Sequence, residues 1–229
     1  MEDPPLNPAA KKLGLLALGE TPREDITPTL GAFLGPSVQF LEAGGLDGLS
    51  VRERGVLEAR KGEAVIETRL RSGASIELSR EALLPRLIAA AERLSERCDS
   101  LLLLCSGDYP ALAAACPRLI QPIHILRGAI HAVAQYRLLG LIGPASDLDD
   151  APAQWAPYAP RLICAAASPY EPVEAAVSAG RRLAEQGAQV LYLDCMGFTE
   201  QHRTAVSRSA GLPALSAATL TARVLCEMI

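Results

Sequence analysis

Two stretches of this chain, Leu101-Leu102-Leu103-Leu104-Cys105-Ser106-Gly107 and Leu191-Tyr192-Leu193-Asp194-Cys195-Met196-Gly197, share one form. Each is an apolar run of strand length that ends in cysteine, a variable residue and glycine. A short apolar run closed by turn residues is how a parallel strand reads when both of its faces are covered. Residues 12–19 (KLGLLALG), 137–143 and 162–167 follow the same pattern without a cysteine at the end, and 36–41 and 213–217 are shorter candidates. Helical patterns lie between the strands, over residues 26–34, 79–98, 109–115, 124–136, 171–186, 201–209 and 219–228, with Ser79 placed to cap the longest of them. Strand and helix in alternation predict an α/β fold of parallel sheets with helices on both faces. One departure stands out. Residues 63–70 and 74–79 alternate apolar and polar side chains around Arg71-Ser72-Gly73, which predicts a β-hairpin.

Open parallel sheets bind ligands in the crevice beyond the carboxyl ends of their strands. The pattern therefore predicts that the loops after Gly19, Leu104, Gly143 and Asp194 meet on one face, and two of these loops carry cysteine at their start. The expected thiol chemistry follows from position. A strand that passes through a loop into a helix places its cysteine near the positive end of a helix dipole, which lowers a thiol pKa toward neutrality. Gly107 and Gly197 allow backbone amides to approach a carboxylate or a developing enolate oxygen. Two such thiols on opposite faces of a carbon acid form a two-base machine that needs no cofactor. The bland alternative is that Cys105 and Cys195 are small buried hydrophobes, the usual fate of a free cysteine.

The other chemistry-bearing residues are weighed in the same way. Arg23, in the loop after the first strand, is the expected bidentate anchor for a substrate carboxylate, against an ordinary surface role. Thr21, Ser106 and Ser146 are candidate hydroxyl donors or helix caps. Asp194 is expected to turn away from its neighbour Cys195, because a carboxylate beside a thiol raises the thiol pKa. His202, His124 and His131 are taken as structural, Asp108 as a cap or an ammonium contact, and residues 147–160, rich in proline and aspartate, as a surface excursion.

Composition excludes several classes. The net charge of −4 with no basic run argues against nucleic acid. No apolar run approaches the roughly 20 residues of a membrane helix. Residues 1–12 carry acids and prolines before any apolar stretch, the wrong order for a secretory signal, so the cytoplasm is the expected compartment. None of the six cysteines has C-x-x-C or histidine-paired spacing, so no zinc or other metal site is expected and the thiols should be free. No G-x-G-x-x-G or Walker-type sequence is present.

Residues 17–30 (ALGETPREDITPTL), 191–203 (LYLDCMGFTEQHR) and 101–110 (LLLLCSGDYP) carry a family likeness. Over its whole length the chain resembles the AroM family, a branch of the aspartate/glutamate/hydantoin racemase superfamily. The resemblance implies two pseudo-symmetric parallel-sheet α/β lobes with the active-site cleft between them. It implies neither pyridoxal phosphate nor metal, and assembly into dimers or larger. The expected division is 1–112 plus 205–229 for one lobe and 113–204 for the other. Residues 101–110 and 191–203 resemble the segments that hold the two catalytic cysteines of the superfamily, here Cys105 and Cys195. The expected ligand contacts are Gly19, Thr21, Arg23, Ser106, Gly107, Ser146, Met196 and Gly197. Met196 stands where the amino-acid racemases have threonine, so contacts there differ. The implied activity is a racemase or epimerase acting on a small carboxylate or carbonyl compound. The rivals are a decarboxylase or isomerase that uses one thiol, a small-molecule binding protein linked to aromatic metabolism, and a redox dithiol, which requires Cα atoms within about 7 Å.

Overall fold

The computed structural model describes residues 11–229; the expectation about the order of residues 1–10 lies outside them. The first half of the chain runs β1 (Lys11–Ala17), α1 (Thr27–Leu34), β2 (Val38–Gly44), α2 (Val51–Gly55), the hairpin β3 (Val65–Arg69) and β4 (Ser75–Ser79), α3 (Arg80–Ser95), β5 (Ser100–Leu103), α4 (Pro110–Ala115) and β6 (Leu119–Ile120). The second half runs α5 (Pro122–Ala134), β7 (Leu139–Gly143), α6 (Ala145–Leu148), α7 (Ala151–Trp155), β8 (Leu162–Ala166), α8 (Val173–Glu185), β9 (Val190–Leu193), α9 (Glu200–Ala210), β10 (Ala214–Ser216) and α10 (Ala217–Met228).

Two four-stranded parallel sheets result, ordered β2-β1-β5-β6 and β8-β7-β9-β10. With the hairpin set aside, each half lays its strands in the order second, first, third, fourth. The two lobes are topological copies, and the β3–β4 hairpin is an insertion in the first. The expected lobe boundaries need correction. β6 pairs with β5, so residues up to 120 belong to the first sheet, and β10 pairs with β9, so residues 214–216 belong to the second. α10 returns to the first half to pack on α1 and also meets α5, and α6 of the second half meets β3 of the first.

Why the central strands are apolar throughout is visible in their two faces. Leu13, Leu15 and Ala17 of β1, Leu102 of β5, Leu139 and Leu141 of β7, and Val190 and Tyr192 of β9 all face one core shared by both lobes. Their alternate neighbours face outward. Leu16, Leu101 and Leu103 meet α3, and Ile142, Leu191 and Leu193 meet α8 and α9. A period of two on a strand with both faces covered leaves no position for a polar side chain. α3 starts where Ser79 accepts from the Ala82 amide, and it buries Leu83, Leu87, Ala90, Ala91 and Leu94.

Residues 147–160 are more than a surface excursion. They include the end of α6 and all of α7, and although many of them are exposed, Trp155 is fully buried in the shared core, edge-on to Tyr192 with ring centroids 5.3 Å apart. Proline-rich spacing hid a segment held by a single large aromatic side chain. β6 and α2 also went unanticipated, since two and five residues carry too little periodicity to detect. No helix among the described residues is long and apolar enough to cross a membrane.

Gly140 of β7 allows α8 and β9 to close on the strand. A Cβ there would lie 2.7 Å from Leu191 Cδ2 and 3.1 Å from the Cβ atoms of Ala188 and Leu183. Gly140→Ala should therefore cost ~1–3 kcal/mol through overpacking and lower the melting temperature by ~2–4 °C per kcal/mol. Urea and thermal unfolding of the variant check this, and an unchanged midpoint would mean that the two packed elements yield.

Candidate active site

The two cysteine loops leave their sheets in the same way. Register pairs Leu103 with Leu16 in one lobe and Leu193 with Ile142 in the other. The next amides, of Leu104 and Asp194, donate to the carbonyls of Leu16 and Ile142, each at 2.8 Å. The residues after these are Cys105 and Cys195. Each sulfur then accepts from the amide two residues on, Gly107 at 3.3 Å and Gly197 at 3.4 Å. The thiols therefore occupy equivalent positions, and both line one cavity of about 530 Å³, a volume suited to a small organic ligand. All six cysteines are free.

The cavity gathers Arg23, Ser106, Gly107, Ser146 and Gly197 beside the thiols. It does not include Gly19, Thr21 or Met196. Gly19 is where the hairpin docks, since a Cβ there would sit 2.2 Å from the Arg69 carbonyl oxygen. Thr21 donates through its amide (2.9 Å) and hydroxyl (2.7 Å) to Asp47, a carboxylate that also takes the Gly44 amide and so shapes both loops. Met196 is packed in the shared core. Asp47 was not anticipated, although an aspartate just after a Gly-Gly turn is a loop-organising signal.

Arg23 is not a free carboxylate anchor. Its Nε and Nη2 already donate to both oxygens of Asp25, at 2.9 and 2.7 Å, and Nη2 reaches the Tyr170 hydroxyl at 3.3 Å. Burial works against the guanidinium charge, but the Asp25 hydrogen bonds together with the Tyr170, Asp25 and Cys195 charges outweigh it, so Arg23 is held more firmly protonated than usual. The bidentate acceptor that the sequence assigned to a substrate is supplied by the protein two residues away.

Both thiols are pushed up, not down. Burial is the first cause for each. The Gly107 and Gly197 amides oppose it, while the Asp147 charge adds to the rise at both sulfurs and Cys105 adds to it at Cys195. The expected dipole effect is missing because α4 begins at Pro110 and α9 at Glu200, well past each cysteine. Dipole stabilisation fades beyond the first turn.

Several cavity residues had no assigned role in the sequence, among them Tyr109, Tyr170, Arg80 and Glu67. Tyr109, buried, sets its hydroxyl 3.8 Å from Cys105 Sγ, and a Cys-x-x-x-Tyr spacing was there to be read. Tyr170 faces Arg23 from the β8 loop. Arg80 lies over the Tyr109 ring, 4.2 Å from its centroid. Glu67 comes from the hairpin and accepts from the Ser168 hydroxyl. Asp194 does line the cavity, but its oxygens are engaged by Trp155 Nε1 and the Tyr192 hydroxyl, at 3.0 Å each. Asp108, also on the cavity wall, is paired with Arg127 at 2.7 Å. His202 is structural, as expected. Its Nδ1 meets Thr199 at the start of α9, and burial lowers its pKa. Among the described residues no group of three His, Cys, Asp or Glu side chains could hold a metal ion.

The sequence matches a family described as AroM protein over residues 13–229. The chain belongs to the AroM family. No curated protein matches it. Among solved structures, this AroM chain is similar to an arylmalonate decarboxylase (TM-score 0.61, 15% identity, 94% of this chain and 92% of that one). It is similar to a maleate cis-trans isomerase of Nocardia farcinica that carries a covalently bound succinylcysteine (TM-score 0.60, 14% identity, 95% and 92%). A glutamate racemase from Bacillus anthracis is a third such structure (TM-score 0.59, 15% identity, 96% and 82%). At these identities the likeness is one of fold, that of the aspartate/glutamate racemases.

Two measurements probe the electrostatics of this AroM cavity. The Asp147 carboxyl, although on an exposed residue, is pushed up to about 6, first by lost hydration and then by the Asp194 charge. A folded-state pKa above the ordinary ~3.9 means that the native state holds this proton more tightly. The associated stability is complete at low pH and lost as pH rises from ~4 through ~6. Asp147→Asn cannot lose it, so melting temperatures of variant and wild type should diverge in the variant's favour between pH 4 and 7. Parallel curves would refute the shift. For the thiols, iodoacetamide at pH 7.5 should label exposed Cys226 well before Cys105 or Cys195, as peptide mass spectrometry would show.

Proposed function

We propose that this protein is a cofactor-independent racemase or epimerase in which Cys105 and Cys195 act as opposed acid and base. The reacting carbon lies next to a carboxylate or carbonyl. The observation that supports this most is the placement of two thiols at equivalent strand ends on the walls of one cavity, each sulfur held by its own glycine amide. In the proposed cycle one cysteine is a thiolate and the other a thiol. The thiolate takes the proton from the stereocentre, and the C–H bonding pair moves toward the carbonyl oxygen. The opposing S–H gives its proton to the other face of the carbon. The charge then resides on the second sulfur, and the next turnover runs in the opposite sense.

Burial serves this chemistry as well as opposing it. A thiol with a raised pKa is ionised less often, but its thiolate is a stronger base toward a weakly acidic C–H. The glycine amides hold the sulfur in place and favour its charged form. Ser106 and Ser146, both on the cavity wall, are available donors to substrate oxygens.

One observation favours a second reading, in which a single thiol works as proton donor or nucleophile in a decarboxylation or isomerisation. The two sulfurs are not chemically equal. Cys105 has the Tyr109 hydroxyl beside it, while Cys195 is preceded by Asp194 and followed by buried Met196. The similar folds include a decarboxylase and an isomerase as well as a racemase.

Solvent deuterium incorporation separates these readings. Wild type, Cys105→Ala and Cys195→Ala are incubated in D₂O with chiral amino acids, hydantoins and 2-substituted carboxylic acids, and followed by NMR. Two-base chemistry predicts exchange at a stereocentre by wild type that each single variant loses or restricts to one enantiomer. Exchange that survives in one variant for both enantiomers moves the protein to single-thiol chemistry. Binding without exchange removes the enzymatic reading.

A further inference from the structure

Eight carboxylates line the cavity against two guanidinium groups, of which Arg23 alone is paired with a carboxylate. Arg23 is taken by Asp25, and Arg80 lies on the Tyr109 ring and donates to the Asp108 carbonyl. Among the described residues, Asp108 is the one cavity carboxylate in an ion pair. Seven carboxylates remain outside any ion pair, and three of them come from three different elements. Glu67 comes from β3 of the inserted hairpin, Asp147 from α6, and Asp194 from the end of β9. Their hydrogen-bond donors are all neutral: the Ser168 hydroxyl for Glu67, the Ser146 hydroxyl at 3.3 Å for Asp147, and Trp155 and Tyr192 for Asp194. The three also sense one another, since Asp194 and Glu67 both oppose ionisation of Asp147.

Like charges collected in a partly dehydrated space repel and forfeit hydration, which is costly unless a counter-charge arrives. A metal ion does not fit that part, because the acidic side chains are spread too widely for any three to share one. A cavity of about 530 Å³ accepts an organic ligand that distributes its positive charge over several of them. The pseudo-symmetry marks the charge as deliberate placement. Position for position, Asp194 of the second lobe corresponds to apolar Leu104 of the first.

We propose that the substrate of the Cys105/Cys195 site is a carbon acid bearing a cationic nitrogen group, ammonium or guanidinium, seated against Glu67, Asp147 and Asp194. This rests on the two-thiol reading for the position of the reacting carbon and adds the substrate class. The asymmetric acidic wall gives an otherwise near-twofold site one binding orientation, with the cation toward α6 and the hairpin. A cation in that place also offsets the Asp147 charge that pushes both thiols up, so binding itself moves a sulfur toward the thiolate.

The test is calorimetric titration of the full chain with matched probes. The cationic probes are agmatine, N-acetyl-L-argininamide and N-acetyl-L-lysinamide, the neutral ones N-acetyl-L-citrullinamide and N-acetyl-L-norleucinamide, and the anionic ones malonate and succinate. Cationic probes should bind at least about tenfold more tightly than their neutral counterparts, and Glu67→Gln and Asp147→Asn should each weaken them by about tenfold. Both positions retain solvent contact, and circular dichroism verifies that the variants fold. Charge reversal in Glu67→Lys should shift the preference to the anionic probes. Tighter binding of anionic probes by wild type, no binding of any cationic probe, or unaltered cation affinity in both neutral variants would overturn the proposal. Cation binding lost in the variants without deuterium exchange would uphold the substrate class and sink the two-thiol turnover. Exchange confined to anionic carbon acids and indifferent to Glu67 and Asp147 would do the reverse.

Discussion

The cavity depends on how two parallel strands end. β5 and β9 each hand one last amide to the central strand of their own sheet, and the next residue, a cysteine, leaves the ladder. From that point the sulfur has one local partner, the amide two residues on. The strand ends can hold this geometry because both faces of β1, β5, β7 and β9 are packed. The inner faces share one core, which clamps lobe to lobe and fixes the width of the space between the thiols. Interiors at native packing density do not deform continuously, so the placement of both thiols on one cavity is a property of the scaffold and not of one loop.

Symmetry supplies the pair of thiols, and departures from symmetry supply the chemistry. Tyr109 stands four residues after Cys105, where Thr199 follows Cys195 and caps α9 instead. Ser106 faces the cavity, whereas Met196 is withdrawn into the core. Leu104 is apolar where Asp194 is charged. The hairpin has no counterpart in the second lobe and places Glu67 on the cavity wall. A twofold site treats both ends of a ligand alike; this one does not.

Much of the frame was legible in the sequence because it rests on local pattern. Unbroken apolar runs ending in Cys-x-Gly are sufficient to give parallel strands and their loops, and the polar alternation around Arg71-Ser72-Gly73 is sufficient for the hairpin. The failures share a cause, since they concern partners distant in sequence or charges whose surroundings local pattern does not encode. Arg23 looked free because nothing in a loop sequence says that a guanidinium will fold back on an aspartate two residues away. Trp155 lies in a segment read as a surface excursion because it is rich in proline and aspartate, and only the shared core explains its burial. The thiol pKa was misjudged in sign. A nearby helix start was credited with a dipole effect it is too far away to exert, and the dehydration of the cavity was invisible.

That last reversal changes what the site must do to work. A pair of thiols kept protonated by burial and by Asp147 is quiescent toward water and oxidants, because the thiolate is the reactive form. The same environment makes any thiolate formed there a stronger base than a solvated one. In the proposed cycle further activation comes with the ligand, since the Arg80 charge at Cys105 and the Arg23 charge at Cys195 do not overcome burial of the thiols. A ligand that excludes water while bringing positive charge toward Asp147 and Asp194 removes one cause of the raised thiol pKa and strengthens every remaining interaction in the lower dielectric. The acidic wall and the high thiol pKa, each unfavourable by itself, are in that case two halves of one arrangement: a base that is strong when formed and forms when its substrate is bound.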